Sequence, residues 1–364
     1  MAMLPVMRPK LPAADRLVPY LHKIDSTRIY SNYGPLVRSF EDRIAAHYGL
    51  ARGTITTVAN ATLGLALALA AQSVEPGTLC AIPAWTFVAS AHAAMLAGLI
   101  PYFIDVDPVT EVIDPDTVAE NIRRAPARVS AVMPVAPFGR PIDIAAWDRF
   151  RSRTGVPVVI DAAAGFDSLT PGETPAVVSL HATKVLGVGE GGFVASVDSS
   201  LISRISVRAN FGFQGSRDAM MPAMNAKLSE YHAAAGHAAL DEWKEARGER
   251  VAVADTYRQI FSDAKRLRLP DGFGQSWITS TCVVGLVDGG AARVERALAE
   301  GGIGTRRWWG DGAHAHPATA ECPRARLPST EALAHSAISL PMYRDLTAAN
   351  IRLVAGRVLE ACAS

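Results

Sequence analysis

The stretch from residue 158 to residue 192 constrains the fold most, because it combines two buried-strand patterns with side chains that can react. The apolar run 158–160 ends on Asp161, and the run 176–180 is followed closely by Lys184. Apolar β-branched runs are typical of buried parallel strands, and ligands of open α/β sheets bind outside the carboxyl ends of the strands. We therefore expect the Asp161 carboxylate and the Lys184 ammonium group to face one crevice.

These two residues meet the needs of one cofactor, pyridoxal phosphate (PLP). A lysine can form a Schiff base with a carbonyl group, and PLP requires such a lysine together with an acid on its pyridine nitrogen. Taken singly, Lys184 could be a solvated surface charge and Asp161 could be a helix N-cap. It is the pair that indicates a PLP site.

A dinucleotide site is the competing interpretation of the same stretch. The glycines within residues 187–192 formally match the pattern G-x-G-x-x-G. That fingerprint needs a helix directly after it, whereas the sequence Phe-Val-Ala-Ser-Val at 193–197 predicts a strand. We therefore reject a Rossmann site.

Two motifs resemble those of a known family. The sequence His-Ala-Thr-Lys at 181–184, followed by Gly-Glu-Gly-Gly at 189–192, resembles the Schiff-base motif of the DegT/DnrJ/EryC1/StrS aminotransferases. Asn-Ala-Lys-Leu-Ser-Glu at 225–230 is similar to the family's Asn-x-(Arg/Lys)-x-Ser-Glu motif. The resemblance extends from about residue 32 to about residue 342. It implies an α/β fold of the aspartate-aminotransferase type (PLP fold type I), with a mostly parallel sheet in a large domain and a small C-terminal α+β domain.

The resemblance also implies a role for each matching residue. Lys184 and Asp161 would be catalytic, and His181, Arg306 and Trp308 would lie near the substrate, although packing beneath the cofactor is an equal interpretation for His181. The remaining cofactor contacts would be phosphate contacts from Ala61, Thr62, Ser179 and a neighbouring subunit's Asn225, and ring stacking by Phe87, with Trp85 as the second candidate.

Simpler interpretations remain open for several of these positions. Asn60 or Thr62 could merely cap the Ala/Leu-rich helix predicted at 63–71, and Asn225 could cap a helix beginning at Ala226. The arginines of the following helix, Arg247, Arg250 and Arg258, are interpreted as a solvated face.

The chain departs from the family pattern at one position. Relatives commonly carry His or Gln three residues after the aspartate, near the cofactor ring, and this chain has Ala164 there. It keeps Lys184 where dehydratase relatives have histidine. The retained lysine favours amino transfer over C–O cleavage.

The order of strand and helix patterns suggests three units. We expect an N-terminal arm at 1–30, a large PLP-binding domain at 31–245, which carries the dimer-crossing loop that the resemblance implies, and a small domain at 246–364. The formal net charge of +1 gives no sign of nucleic-acid binding. The four scattered cysteines suggest neither a metal site nor disulfides and fit a reducing compartment. With no signal-peptide pattern and no spanning run, we expect a soluble, cytoplasmic protein with no membrane partner.

The resemblance implies a homodimeric sugar aminotransferase. The donor would be an amino acid, glutamate by our expectation, and the acceptor a nucleotide-linked keto-sugar, specifically a dTDP-4-keto-6-deoxyhexose. Two alternatives remain: a PLP aminotransferase for another keto compound, such as a 3-keto sugar or a cyclitol, and a non-catalytic PLP-binding regulatory protein. The complete set Asp161, Lys184, Ser179 and Asn225 weighs against the second.

Overall fold

The computed structural model of the chain describes residues 3–363. Residues 1, 2 and 364, assigned above to the arm and to the small domain, lie outside the described part. The helices are α1 (Ala14–Thr27), α2 (Pro35–His47), α3 (Ala61–Ala70), α4 (Ala89–Leu96), α5 (Pro115–Arg124), α6 (Ile144–Thr154), α7 (Ser199–Ala209), α8 (Glu230–Asp241), α9 (Trp243–Phe261), α10 (Ala291–Glu300), α11 (Pro328–Ser336) and α12 (Ala348–Ala363). The strands are β1 (Ile55–Val58), β2 (Leu79–Pro83), β3 (Ile100–Ile104), β4 (Val129–Val132), β5 (Ile160–Asp161), β6 (Ala176–Ser179), β7 (Gly192–Ala195), β8 (Leu267–Arg268), β9 (Cys282–Leu286) and β10 (Ala337–Leu340).

The strands of the N-terminal two thirds form one layer at the centre of the molecule. Four strands pair in the order β1-β7-β6-β5 and three in the order β3-β2-β4. Isolated parallel bridges, Val132 to Val158 and Val135 to Asp161, join the two groups. Every pairing in this layer is parallel except those of β7, which runs against both β1 and β6. The predicted α/β fold with a mostly parallel sheet is confirmed.

Helices cover this layer because its strands are apolar on both faces. Each residue of β2, β4, β6 and β7 is buried, as expected for strands with no solvent-facing side. Helix α3, composed only of Ala, Leu, Gly and Thr, is apolar around most of its circumference and packs against β6, β7 and α4. On the other face, α2 packs against β1 and α8.

The C-terminal third builds a second, smaller core. Its sheet has the order β10-β9-β8 with antiparallel pairings, and α9, α10 and α12 pack together beside it. The side chains of this core form a cluster that includes Tyr257, Trp277 and Val358. The small α+β unit predicted from the sequence is therefore present.

The N-terminal segment lies across both units. Leu4 pairs with the small unit at Ile303, and the Val6 carbonyl accepts a hydrogen bond from the backbone N–H of Met342 at 3.1 Å. Further along, α1 packs against α8. The first residues of the segment thus bind the small unit, and its helix binds the large one.

Aromatic and charged contacts join the two units near the end of β5. The Trp309 ring stacks on Phe138 with centroids 4.0 Å apart and meets Trp85 edge-on at 5.1 Å. The buried carboxylate of Asp167 accepts hydrogen bonds from the Arg247 guanidinium at 2.7 Å and from the Ile278 backbone N–H at 2.9 Å. These contacts fix the small unit beside the crevice that contains Asp161.

Within residues 3–363, none of the helices combines the length and the apolar character needed to cross a lipid bilayer.

Candidate active site

Asp161 and Lys184 lie at the same edge of the central sheet, as the sequence predicts. Asp161 is the last residue of β5, and Lys184 lies in the turn that follows the neighbouring parallel strand β6. The turn is closed by hydrogen bonds from the backbone N–H of Lys184 to the His181 carbonyl and from that of Ala182 to the Gly189 carbonyl, both 2.8 Å long. The two side chains therefore share one crevice.

The Asp161 carboxylate is buried and held from two sides. It accepts a hydrogen bond from the Ser90 hydroxyl at 2.7 Å and another from the Ala163 backbone N–H at 3.1 Å. Burial raises the pKa of this carboxyl, while Ser90, Ala163 and the positive charge of Lys184 oppose the rise. These contacts orient the carboxylate and stabilise its charged form in an apolar setting.

Ser90 is a site residue that the sequence analysis missed. It lies on α4, is buried, and its hydroxyl is also 2.9 Å from that of Thr86. In the sequence it is one small polar residue in an Ala-rich helix. Only the tertiary fold, which brings α4 against the end of β5, shows its contact with Asp161.

The Lys184 amine has no hydrogen bond or ion pair among the described residues. Burial lowers the pKa of its ammonium group, and the nearby Asp161 carboxylate partly offsets that effect. A lysine with a lowered pKa has a larger fraction of neutral amine, which is the form that reacts with carbonyl groups. The Lys184 amine is thus free to contact a ligand in the crevice.

The start of α3 forms an anion-binding cradle. Asn60 is the N-cap, and its side chain accepts a hydrogen bond from the backbone N–H of Leu63 at 2.9 Å. The helix begins at Ala61, two residues earlier than predicted, so Ala61 and Thr62 occupy its first turn, where backbone N–H groups are available to an anion. The cap interpretation of Asn60 is correct and is compatible with a phosphate site.

A glycine keeps this cradle open. A Cβ atom added at Gly192 would lie 2.9 Å from the Ala61 nitrogen and 3.0 Å from the Val178 carbonyl oxygen. Any larger residue at the start of β7 would therefore displace the first turn of α3. Ser179, at the end of β6, is buried nearby, and its hydroxyl accepts a hydrogen bond from the His181 backbone N–H at 3.2 Å. The donor set, a buried acid, an unpaired lysine and a helix N-terminus, fits PLP.

Asn225 is exposed and lies beside the cradle of its own chain. The carbonyl of the next residue, Ala226, accepts a hydrogen bond from the Ala59 backbone N–H at 2.7 Å, directly before α3. The alternative that Asn225 caps a helix at Ala226 is wrong. Helix α8 begins at Glu230, and its N-cap is Ser229, whose hydroxyl accepts a hydrogen bond from the His232 backbone N–H at 3.2 Å.

Glu230 gives the second motif a structural role as well. Its buried carboxylate accepts hydrogen bonds from the backbone N–H groups of Leu36 and Val37, each 2.8 Å long. These are first-turn donors of α2, which have no partner inside that helix. The motif thus anchors α2 against α8 while it presents Asn225 to the surface.

His181 is held by its neighbours in the turn. Its Nδ1 accepts a hydrogen bond from the Thr183 backbone N–H at 3.2 Å and lies 2.8 Å from the Thr183 hydroxyl. The tautomer with hydrogen on Nε2 therefore fits, and that nitrogen is 3.6 Å from the exposed Glu190 carboxylate. These contacts indicate that His181 shapes the Lys184 turn.

The two aromatic candidates for the ring contact have different surroundings. Trp85 is buried, and its indole N–H donates to the Glu111 carboxylate at 2.9 Å. Its ring meets Trp309 of the small unit, so Trp85 belongs to the contact between the two units. The Phe87 side chain is 56% exposed in the single chain, which leaves it available to a ligand or a second subunit. Phe87 remains the better candidate.

Arg306 and Trp308 lie together on the small unit. The exposed guanidinium of Arg306 is 4.8 Å from the centroid of the Trp308 ring, and the Arg306 backbone pairs with Ser339. Among the described residues, neither side chain contacts Asp161 or Lys184. The structure therefore groups these two residues but does not join them to Asp161 and Lys184.

The predicted solvated arginine face of α9 is wrong for Arg250, which is only 8% exposed. The side chains of Arg247 and Arg258 are both partly exposed, and each is paired with a carboxylate, Arg247 with Asp167 and Arg258 with Asp255. Arg250 belongs instead to the wall of the recess that contains Lys184.

The chain matches one known protein family along most of its length. The DegT/DnrJ/EryC1/StrS aminotransferase family matches residues 14–359. The chain belongs to this family. It is a PLP-dependent sugar aminotransferase, and PLP is its cofactor, in agreement with the residues at the end of β5 and β6.

Individual relatives show how far the similarity extends. The dTDP-4-amino-4,6-dideoxy-D-glucose transaminase of Shigella dysenteriae is 31% identical over 74% of this chain and 73% of its own length. DesI, solved in the presence of its TDP-sugar product, is 30% identical with a TM-score of 0.89 over 100% of this chain and 93% of its own. A putative PLP-dependent aminotransferase from Bacillus cereus has a TM-score of 0.89 and 28% identity over 98% of this chain and 99% of its own. The predicted family, fold, enzyme class and cofactor of the aminotransferase are thus confirmed.

Proposed function

We propose that this aminotransferase moves the amino group of glutamate to the keto group of a dTDP-4-keto-6-deoxyhexose. The observation that carries the proposal is the full-length similarity to DesI, whose structure contains a TDP-sugar product. The Shigella relative, named for a dTDP-4-amino-4,6-dideoxyglucose, supports the same sugar class. Both relatives keep about 30% identity over most of this chain.

The residues of the crevice divide the chemistry between them. When bound, PLP supplies an electron sink that lets an amino group leave one carbon and join another. Asp161, ionised and fixed by Ser90, holds the proton on the pyridine nitrogen. Lys184, with its lowered pKa, accepts the proton from the donor's Cα in the first half of the reaction. In the second half it gives a proton to the carbon of the sugar that carried the keto group.

The neutral donors position the cofactor. The first turn of α3, at Ala61 and Thr62, presents backbone N–H groups and the positive end of its helix dipole to the phosphate. Ser179 adds a hydroxyl from the end of β6, and Phe87 covers the ring. Arg306 and Trp308 contact the nucleotide-linked sugar from the small unit, whereas His181 acts by shaping the turn.

The protein acts as a homodimer whose active sites are shared between subunits. The segment between α7 and α8 exposes Phe211 and Met220, which are 46% and 65% accessible, next to the exposed Asn225. Tyr231, in the first turn of α8, is 52% exposed. Large apolar side chains grouped on a surface indicate a protein contact. In this arrangement Asn225 reaches the phosphate bound by the partner's cradle.

A substrate panel tests the proposed reaction. Purified enzyme loaded with PLP is given glutamate and each of several nucleotide-linked keto-sugars, and amino-sugar formation is followed by mass spectrometry. We expect the dTDP-4-keto-6-deoxyhexose to have the highest kcat/KM. A higher kcat/KM with a UDP-linked 3-keto sugar or with a free cyclitol ketone would contradict the proposed substrate.

A further inference from the structure

The recess beside Lys184 has walls from several parts of the chain. Lys184 lies at one side, Arg250 comes from α9, and Ser280 and Arg344 come from the small unit. Residues 7–10 of the N-terminal segment complete the rim. The recess opens to solvent at its mouth. We call it the Lys184 recess.

Most cations around the Lys184 recess are already neutralised. Arg8 is paired with Asp345, and Lys10 lies 3.8 Å from the Glu249 carboxylate. Arg344 is held by the carboxylates of Glu249 and Glu242. None of these side chains therefore requires an additional anion.

Arg250 differs from these neighbours. Its one hydrogen bond among the described residues runs from Nη1 to the Ala246 carbonyl of its own helix at 3.0 Å. It forms no ion pair in that part of the chain, although it is buried, with only 8% of the residue exposed. Burial, followed by repulsion from Arg344, lowers its pKa to about 10, and the Glu249 carboxylate partly opposes this fall.

A buried guanidinium without a counter-ion destabilises the fold, and the arrangement of its N–H donors indicates which partner it lacks. An unpaired buried charge costs several kcal/mol unless a ligand or side chain compensates it. Arginine presents a planar set of N–H donors that matches a carboxylate in a bidentate contact. The free Nε and Nη2 donors of Arg250 thus fit a carboxylate in the recess.

We propose that Arg250 binds the α-carboxylate of the amino donor. The inference rests on the proposed use of an amino-acid donor and adds the residue that recognises it. In an α-amino acid the carboxylate is attached to the carbon whose proton Lys184 must reach, so one small recess has to hold both groups. Of the three arginines that line the recess, Arg8, Arg250 and Arg344, Arg250 alone has no carboxylate partner within the described residues.

The test uses succinate, a dicarboxylate without an amino group, as a binding probe for the PLP-loaded enzyme. Isothermal titration calorimetry measures its Kd for the wild type, R250Q and a control, R258Q, which changes an arginine on the same helix outside the recess. Hydrogen bonds to charged groups are worth enough for R250Q to weaken succinate about 10- to 100-fold. R258Q should bind within about twofold of the wild type.

Steady-state kinetics give a second readout. R250Q should raise KM for the amino donor and leave KM for the nucleotide-linked sugar unchanged. Unchanged succinate binding by R250Q with an intact fold would overturn the proposal, and so would a raised KM for the sugar alone, since Arg250 would then serve the diphosphate. If R250Q does not fold, R250K replaces it in the test. R250K keeps the positive charge but lacks the planar guanidinium, so we expect it to bind succinate about tenfold more weakly than the wild type. Wild-type succinate affinity in R250K would contradict a bidentate contact.

The experiments distinguish an error in the proposed donor, glutamate, from an error in the role of Arg250. A wild-type enzyme that uses glutamine or alanine instead of glutamate would contradict the donor assigned above. Succinate binding by R250Q would still decide the role of Arg250, because every α-amino acid carries the carboxylate in question.

Discussion

The hydroxyl of Ser90 donates a 2.7 Å hydrogen bond to the carboxylate of Asp161, 71 residues further along the chain. Ser90 lies on α4 and Asp161 at the end of β5, so the bond joins a covering helix to the catalytic edge of the sheet. It stabilises the charged form of a carboxyl whose burial favours the neutral form. Ser90 is thereby a positioning residue for the acid that we propose contacts PLP.

The pH dependence of transamination should reveal this role. In S90A the Asp161 carboxylate loses one stabilising donor, so its pKa rises above that in the wild type. Since the ionised form is the active one, the acidic limb of the kcat/KM profile should move to higher pH. The substitution should also lower the free energy of unfolding by about 1–3 kcal/mol, because it removes a hydrogen bond to a buried charged group.

S196A is the matched control for this experiment. Ser196 is also buried, and its hydroxyl donates to the Glu173 carbonyl at 2.7 Å, away from the crevice. It should lose stability without a displaced acidic limb. Coinciding acidic limbs for S90A and the wild type would show that Ser90 has no influence on Asp161.

The contact between α8 and α2 leads to a prediction about stability. A Cβ atom added at Gly236 would lie 2.4 Å from Cζ of the fully buried Phe40, whereas one added at Gly248 on α9 meets nothing within 4 Å. G236A should therefore destabilise the protein by about 1–3 kcal/mol through overpacking. G248A should stabilise it by about 0.5–1 kcal/mol, since alanine favours a helix over glycine.

Thermal unfolding of the two variants, compared at equal protein and PLP concentration, checks this pair. The same chemical change is made in both helices, so helix propensity alone predicts equal upward shifts of Tm. A Tm of G236A at or above that of G248A would contradict the close packing of α8 on Phe40.

Much of the fold was predictable because the strands carry their signal locally. The β-branched runs ending at Val58 and Asp161 and the cap at Asn60 identify elements without reference to the rest of the chain. The reversed direction of β7 was not predictable, since the alternation of apolar residues is the same for either direction of a strand. The start of α8 was mistaken by four residues, although Ser229 is a recognisable N-cap signal.

The site was predictable where residues follow strand ends and not where they lie on helices. Asp161 and Lys184 are in that first class. Ser90 depends on a contact that no local pattern encodes. Arg250 did carry a signal that was overlooked: it shares the buried stripe of α9 with Ala246, Val253, Ala254, Tyr257 and Phe261, at the spacing of one helix face.

Subunit mixing tests the proposed sharing of active sites. K184A and N225A subunits are each impaired, and they are combined under conditions that allow exchange. If Asn225 serves the partner's site, each heterodimer has one intact site and one with both lesions, and activity should return. Exchange is verified separately with differently tagged subunits.

The structure also offers a basis for the alternative, in which each active site is built from a single chain. The segment carrying Asn225 is bonded to Ala59 beside the cradle of the same chain. If Asn225 serves that cradle, every site in the mixture contains one lesion, and activity should not exceed that of the parents. This result, with exchange verified, would contradict a shared site.

The central claim is that Lys184 is the residue that carries PLP, and chemical mapping tests it most directly. The PLP-loaded enzyme is reduced with borohydride, which fixes the cofactor to its lysine, and is then digested for peptide mass spectrometry. The account predicts that the cofactor mass lies on the peptide containing Lys184 and that K184A retains none after reduction. The cofactor on any other lysine of the wild type would contradict the assignment of this site.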